Sequence, residues 1–362
     1  MTRACQVYSG VADSLAFAKT LPQAAYLDND VFNEEVEQVF RKNWMPVART
    51  GEVANPGDYR TADICGEALV VTRDRANKIN VLSRICRHRA MPVVEGAGSA
   101  NALTCPYHVW SYNLDGSFQS APGMQKSGLF DPLKCNLPSY RHEEWNGWVF
   151  VNLSGDAEPL GPQLAPLAER LKPLNPSDMV SVGYLEFDSP WNWKIMVENF
   201  LESYHHIGAH KNTLQQTNPG LETYCSDYGR AFTVLENPPK TSPGDSFVVG
   251  CVFPLTLMFF SEGGLIKDGG WYEMCNIEKD RFLLRIHVLL PQDCSKDEDI
   301  VRRLKERLRT VHLEDIPFCE GVQKGIGSRS YSSGPLSHLE ECNFRFHQFL
   351  GRCFSAIDRD QN

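Results

Sequence analysis

Basic charge is scarce in this chain of 362 residues, where 36 Lys and Arg stand against 45 Asp and Glu for a net charge of -9. That balance excludes a protein that holds nucleic acid non-specifically by neutralising phosphates. Long apolar runs are missing too. The longest, "VFPLTLMFF" at 252 to 260, is far too short to cross a bilayer, and Met1 to Thr20 has no continuous apolar h-region. Neither a membrane span nor a signal peptide is predicted. The 12 cysteines are scattered without the density of a secreted disulfide scaffold, so free thiols and a cytoplasmic protein are expected.

What is present is ordinary for a globular protein, with 42% hydrophobic and 22% charged residues. The length favours two domains. In "YLDNDVFNEEVEQVFRKNW", Val31, Phe32, Val36, Val39 and Phe40 recur at helical spacing, which predicts a helix starting near Asp28 or Asn29. After Trp44 the pattern changes to strand runs, "ALVVTR", "KINVLSRI" and "GWVFVNL", broken by the turn signals "NPGD", "NLDG" and "EWNG". Residues 154 to 178, rich in Pro and small polar residues around one short amphipathic helix, read as a linker. Beyond it the pattern predicts a helical segment at 192 to 210 and strands near 229 to 236, 246 to 260, 270 to 277 and 281 to 290. Helices follow at 297 to 313 and 337 to 354. No internal repeat is visible.

The stretch "CRHRAMPVVEGAGSANALTCPYHVW" holds two mirrored pairs, Cys86/His88 and Cys105/His108. Thiolates with imidazoles suit zinc, copper or iron-sulfur chemistry, not calcium or magnesium. Structural zinc usually takes Cys pairs two to four residues apart, whereas the first pair here has one residue between its members.

A second constellation lies in "WNWKIMVENFLESYHHIGAHKNT", with Glu198, Glu202, His205, His206 and His210 within a few turns. Two imidazoles and a carboxylate with open positions make the site of oxygen-activating non-haem Fe(II) enzymes. His206 and His210 share one face of a regular helix, while His205 and His210 converge only if the helix is distorted. A third ligand has to come from elsewhere, and "TVHLEDIPFCEGVQKGI" offers Glu314, Asp315 and Glu320. A helix-start acid is the plainer reading of both Glu314 and Asp315.

Cys-x-His, sixteen residues, then Cys-x-x-His resembles the Rieske [2Fe-2S] signature, in which two Cys hold one iron and two His the other. Arg89, "CPYHVWSY" and "NLDG" extend the match; Ala90 and Val109 stand where the family has glycines. "NWKIMVENFLESYHHIGAH" in turn resembles the catalytic helix of Rieske oxygenases. There the two His have four residues between them and an acid three before the first. His205, His210 and Glu202 meet that register; with His206 as ligand, Ser203 would fall at the acid position. The register of the downstream acids makes Asp315 the third ligand, with Glu314 its competitor, and Asn199 is expected to hydrogen-bond near the iron.

From "FRKNW" to "HLEECNFRFHQFL" the chain thus resembles the α-subunit of Rieske non-haem iron oxygenases, most of all the α-only members acting on quaternary amines, which also have Glu at the acid position. The resemblance implies an α+β chain. A β-rich Rieske domain would occupy residues 40–155, and a helix-grip (START-like) catalytic domain with an antiparallel sheet residues 1–39 and 156–362. It implies a [2Fe-2S] cluster, a mononuclear Fe(II) and a homotrimer in which Glu202 bridges His205 to His108 of the adjacent chain. Electrons would come from NAD(P)H through a separate flavin/iron-sulfur reductase or ferredoxin. No strand-then-GxGxxG unit exists for a dinucleotide, since "GAGSAN" lies between the cluster ligands and "GIGSRS" follows a helix.

The implied reaction uses O2 to hydroxylate or demethylate a small molecule, a betaine-like amine first and an aromatic acid second. Phe253, Phe259, Trp271 and Tyr272 are candidate pocket residues, able to surround a trimethylammonium or stack on a ring. A non-catalytic iron-sulfur electron-transfer protein is the alternative from another class.

Overall fold

The computed structural model describes residues 1–241, 246–261 and 267–355. By its internal contacts the chain divides into two compact units, Met45–Ala157 and Met1–Trp44 with Glu158–Asn362. The smaller unit contains β1 (Met45–Arg49), β2 (Asp58–Ile64), β3 (Glu67–Arg73), β4 (Ile79–Ser83) and β5 (Ala97–Ser99), then β6 (Leu103–Thr104), β7 (Ser111–Tyr112), β8 (Phe118–Ser120), β9 (Arg141–Trp145) and β10 (Trp148–Asn152). They form three sheets, ordered β4-β3-β2-β5, β1-β10-β9 and β6-β7-β8. The "EWNG" signal is the β9–β10 hairpin. Asn146 and Gly147 both have positive φ, as a two-residue turn that follows the strand twist requires.

The larger unit is built on one antiparallel sheet. Its strands are β11 (Met179–Ser189), β12 (Tyr224–Tyr228), β13 (Phe232–Asn237), β14 (Phe247–Val252), β15 (Thr256–Ser261), β16 (Gly269–Cys275) and β17 (Phe282–Pro291), in the order β11-β17-β16-β15-β14-β13-β12. A long helix, Glu298–Ile326, packs on β11 and β17, and a terminal helix, Glu341–Ser355, on β12 and β13. The helix Trp193–Phe200 lies against the long helix. A sheet gripping a helix in this way is the helix-grip arrangement, and the chain is α+β. Among the described residues, no helix is long and apolar enough to cross a membrane.

Several elements differ from the sequence expectation. The stretch 246 to 260 is two strands joined at Phe253–Leu255, because its hydrophobic run continues through a turn that is itself buried. β11 escaped notice because it is half exposed and bulged between Ser181 and Tyr184, which breaks its alternation. The supposed linker is largely folded. Leu160, Leu164, Leu167 and Leu171 are all buried, and Arg170 forms a two-point ion pair with Glu236 of β13. The predicted N-terminal helix does start at Asp28, whose side chain accepts from the Asp30 N–H, but it becomes a π-helix at Val36–Phe40.

One buried charge pair fixes the helix that leads to the second constellation. Glu35 and Lys194 are both fully buried, with Lys194 Nζ 2.8 Å from each Glu35 oxygen. Trp193 Nε1 donates to the same carboxylate at 3.0 Å, and the Tyr8 hydroxyl donates as well. Such a pair persists only because every lone pair is answered.

Candidate functional site: two metal-binding constellations

In the smaller unit, Cys86 to Met91 and Cys105 to Trp110 form two loops of equal length and matching hydrogen bonds. The Ala90 N–H donates to the Cys86 carbonyl (3.1 Å) and Cys86 N–H to Met91 (3.0 Å). Val109 and Cys105 N–H groups repeat the pattern with Cys105 (3.0 Å) and Trp110 (2.8 Å). The two loops bring Cys86 and Cys105, both free and buried, together with His88 and His108, whose rings are 4.7 Å apart. His88 stacks on Trp110, and its Nδ1 is buried with no hydrogen-bond partner. An orphaned imidazole nitrogen beside two buried thiols suits a metal cluster. The Tyr112 hydroxyl accepts from the Arg87 N–H (3.0 Å), which leaves its own proton for Cys86 Sγ at 3.3 Å. Ligand spacing gives no sign of this tyrosine, which stands two residues beyond Trp110.

Ala90 and Val109 adopt φ of 56° and 60°, so the loops make the left-handed turn that glycine usually supplies, with a side chain at each. A β-branched residue there is strained. Val109→Gly is therefore expected to stabilise the cluster-bearing unit by on the order of 1 kcal/mol, read as a higher denaturant midpoint, with the cluster absorbance unchanged. A lower midpoint would show that the valine is not strained.

In the larger unit the predicted helix at 192 to 210 is not continuous. Asn192 caps it, accepting from the Lys194 N–H at 3.0 Å, and the Asn192 N–H donates to Gln323 of the long helix at 2.9 Å. The α-helix ends at Phe200, and Tyr204–Ile207 is a separate 3-10 turn, started by Glu202, whose carboxylate accepts the His205 N–H (2.9 Å). Gly220 passes so close to the Ser203 carbonyl that a Cβ there would strike it. This break supplies the distortion that lets residues five apart converge.

His205, His210 and Asp315 bring one ligand atom each to within 4.8 Å of one another. Each imidazole is held from behind by a carboxylate. His205 Nδ1 donates to Glu202 and His210 Nδ1 to Glu314, both at 2.8 Å, and the Thr213 hydroxyl also donates to Glu314 at 2.6 Å. In the neutral tautomers so selected, both Nε2 lone pairs point at Asp315 Oδ1, at 3.5 and 3.0 Å. Three acceptors facing one another fit a cation between them. Burial opposes the charge on Asp315; only with His210 and His205 protonated would they outweigh it and hold its carboxyl below the usual range, and in the neutral tautomers a cation takes that place. Asn199 Nδ2 donates to the same oxygen at 3.4 Å.

His206 and Glu314, the two competitors, face elsewhere. His206 Nδ1 donates to the Asn218 carbonyl (2.9 Å), and burial, reinforced by His205, pushes its pKa down to about 3. Glu314 backs His210, one residue around the helix from Asp315. Neither acid starts a helix. The long helix begins at Glu298 behind the Asp297 cap and runs through Pro317 to Ile326, well past the predicted end at 313.

A cavity of about 440 Å³ opens on these residues, walled by Phe200, Phe247, Phe259 and Tyr272 among others. Gly270, opposite Phe259 in the sheet, leaves room for that ring. Phe253 and Trp271 are not among its walls. Phe253, in the buried turn between β14 and β15, packs on Phe346 and Phe349 of the terminal helix, and Trp271, next to Tyr272 on β16 and so on the opposite face, stacks on its β17 neighbour His287 at 4.7 Å.

A two-loop Cys/His constellation in one unit and a two-His, one-carboxylate constellation in a helix-grip unit define an oxygenase of the Rieske type. Residues 43–141 match the Rieske [2Fe-2S] domain family, and residues 176–249 and 277–356 the ring hydroxylating alpha subunit (catalytic domain) family. The chain is 37% identical to the carnitine monooxygenase oxygenase subunit of Escherichia coli (strain K12), over 93% of this chain and 94% of that one. To choline monooxygenase, chloroplastic, of Spinacia oleracea it is 25% identical, over 92% and 78%. The solved structure of a quaternary ammonium Rieske monooxygenase superposes with a TM-score of 0.85 at 25% identity, over 97% of this chain and 98% of that one.

The protein belongs to the α-subunits, or terminal oxygenase components, of the Rieske non-haem iron oxygenases. It is accordingly an oxidoreductase that takes a [2Fe-2S] cluster and a mononuclear iron. Subunits of this family are oligomeric and receive electrons from a reductase partner.

Proposed function

We propose that this protein hydroxylates or oxidatively demethylates a small trimethylammonium compound, as a monooxygenase. The supporting observation is an aromatic-walled cavity that opens directly on His205, His210 and Asp315. Faces of Phe200, Tyr272 and Phe259 attract a quaternary ammonium without needing a hydrogen bond from it. The names of the relatives point the same way.

Cys86 and Cys105 would hold one iron of the cluster and His88 and His108 the other; His205, His210 and Asp315 would hold the mononuclear iron. When bound, the cluster supplies single electrons and the mononuclear iron the activation of O2. The chain's own groups prepare the site for both. Glu202 and Glu314 fix the tautomers that turn each Nε2 inward, Asn199 holds one oxygen of Asp315, and the aromatic walls keep bulk water from the reacting end. In a homotrimer, the Glu202 carboxylate would join His205 to His108 of the neighbouring copy.

Anaerobic reconstitution with quantified iron, followed by O2 uptake with a reductase over trimethylammonium compounds and aromatic acids, tests the reading. Uptake and product with the trimethylammonium set are expected; absence of a mononuclear iron, or turnover of aromatic acids alone, would overturn it. For Glu202→Gln, both metal centres should remain while turnover falls by about 10-fold or more, by analogy with other losses of a carboxylate behind a ligating imidazole. Loss of cluster absorbance in that variant would contradict the bridging role.

A further inference from the structure

Among the described residues, the cavity wall contains a single Lys or Arg, Arg307. It stands on the same face of the long helix as Leu308, Val311 and Asp315, all of which line the cavity. Eight residues separate Arg307 from Asp315, a rise of about 12 Å along the helix. One end of the cavity therefore presents a guanidinium, and the other the proposed iron ligands with Phe200 and Tyr272, whose rings lie 4.8 Å apart.

The guanidinium is held but not used up. Arg307 Nη2 donates to Asp268 Oδ2 at 2.6 Å, and Asp268 is the only partner of Arg307 among the described residues. Among the described residues no acceptor meets its Nε and Nη1 N–H groups, which can serve a ligand. Asp268 is nearly buried while Arg307 is half exposed, so the carboxylate acts as a fixed post that aims the cation. The Ser261 N–H donates to the Asp268 carbonyl at 2.8 Å, and Ser261 lines the cavity as well. A planar guanidinium with open N–H groups is suited to a carboxylate, which it binds at two points.

We propose that Arg307 anchors the carboxylate of the substrate and Asp268 positions Arg307, so that the cavity selects a trimethylammonium carboxylate over a trimethylammonium alcohol. This rests on the quaternary-amine reading above. It adds the second charge of the ligand and its direction, with the anion at Arg307 and the reacting end at His205, His210 and Asp315. The ammonium is then placed against the aromatic rings and away from the guanidinium that would repel it.

The test uses the full protein with both metal centres and its reductase, with γ-butyrobetaine and choline as probes. Kinetics are paired with anaerobic equilibrium binding of each probe. Wild type should bind γ-butyrobetaine more tightly than choline. Arg307→Gln should raise the Kd and KM for γ-butyrobetaine by about 10- to 100-fold, the usual effect of losing a charge-assisted pair, with kcat little changed and choline unaffected. Arg307→Lys should restore part of the affinity, and Asp268→Asn should weaken γ-butyrobetaine alone. Iron content and cluster absorbance should be those of wild type throughout. Binding of both probes with no selective effect of Arg307→Gln overturns this assignment and leaves the quaternary-amine reading standing. Binding of neither probe overturns both.

Discussion

Asp315→Ala is expected to leave the protein without mononuclear iron while its cluster spectrum stays intact. Among the described residues, Asp315 is the only carboxylate that faces both Nε2 atoms, and it is the sole anion of the convergent set. Without it, two neutral imidazoles remain, with neither the charge nor the third point that a facial site needs. Glu314 cannot step in by a small rotation. Its carboxylate is already engaged by His210 Nδ1 and the Thr213 hydroxyl, on the far side of the ring. Glu314→Gln should therefore behave differently, weakening iron binding by about 10- to 100-fold without abolishing it, as expected for a group that acts through a ligand. Iron per chain after anaerobic reconstitution, read beside the cluster absorbance, separates the two. A full iron complement in Asp315→Ala would make Glu314 the ligand.

Glu35→Gln should cost about 3–5 kcal/mol of stability, the usual consequence of stranding one member of a buried ion pair. Lys194 is fully buried, and burial lowers its pKa even with Glu35 in place. Removing the anion leaves an ammonium that must either stay charged in an apolar setting or release its proton on folding. In the second case the unfolded chain binds one proton more than the folded one, so stability rises with pH. The deficit should be largest near neutrality and shrink as pH climbs towards the ordinary lysine range. Denaturant titrations at several pH values measure this, and Glu35→Gln combined with Lys194→Met should recover part of the loss. A deficit independent of pH would mean that Lys194 stays charged without its partner.

How much of this was legible in the sequence depended on whether the signal was local. The Cys/His loops were readable because both pairs lie within 23 consecutive residues, and each loop closes on its own backbone. The choice of His205 over His206 needed the family register. Helical periodicity alone favoured the pair four apart, and nothing in composition announces that the helix stops at Phe200. Glu314 was seen as a rival of Asp315 and not as its helper, because a sequence gives no direction to adjacent side chains on a helix that has not been located. Trp271 lies off the cavity because alternation tells which residues share a face but not which face meets the cavity. Phe253 lies off it because it sits in a turn hidden inside an unbroken apolar run. Arg307 and Asp268, 39 residues apart, gave no signal at all until the long helix was laid along the sheet.

The three convergent groups come from supports of unequal stiffness. Asp315 belongs to a 29-residue helix seated on the sheet, whereas His205 and His210 hang from a short 3-10 turn and the loop after it. In mechanical terms the site has an anvil and a spring. A ligand shift at its centre would be easier for residues 201 to 213, which also hold Glu202, than for the long helix. If Glu202 bridges to a neighbouring copy as proposed above, a displacement of His205 would reach that carboxylate first.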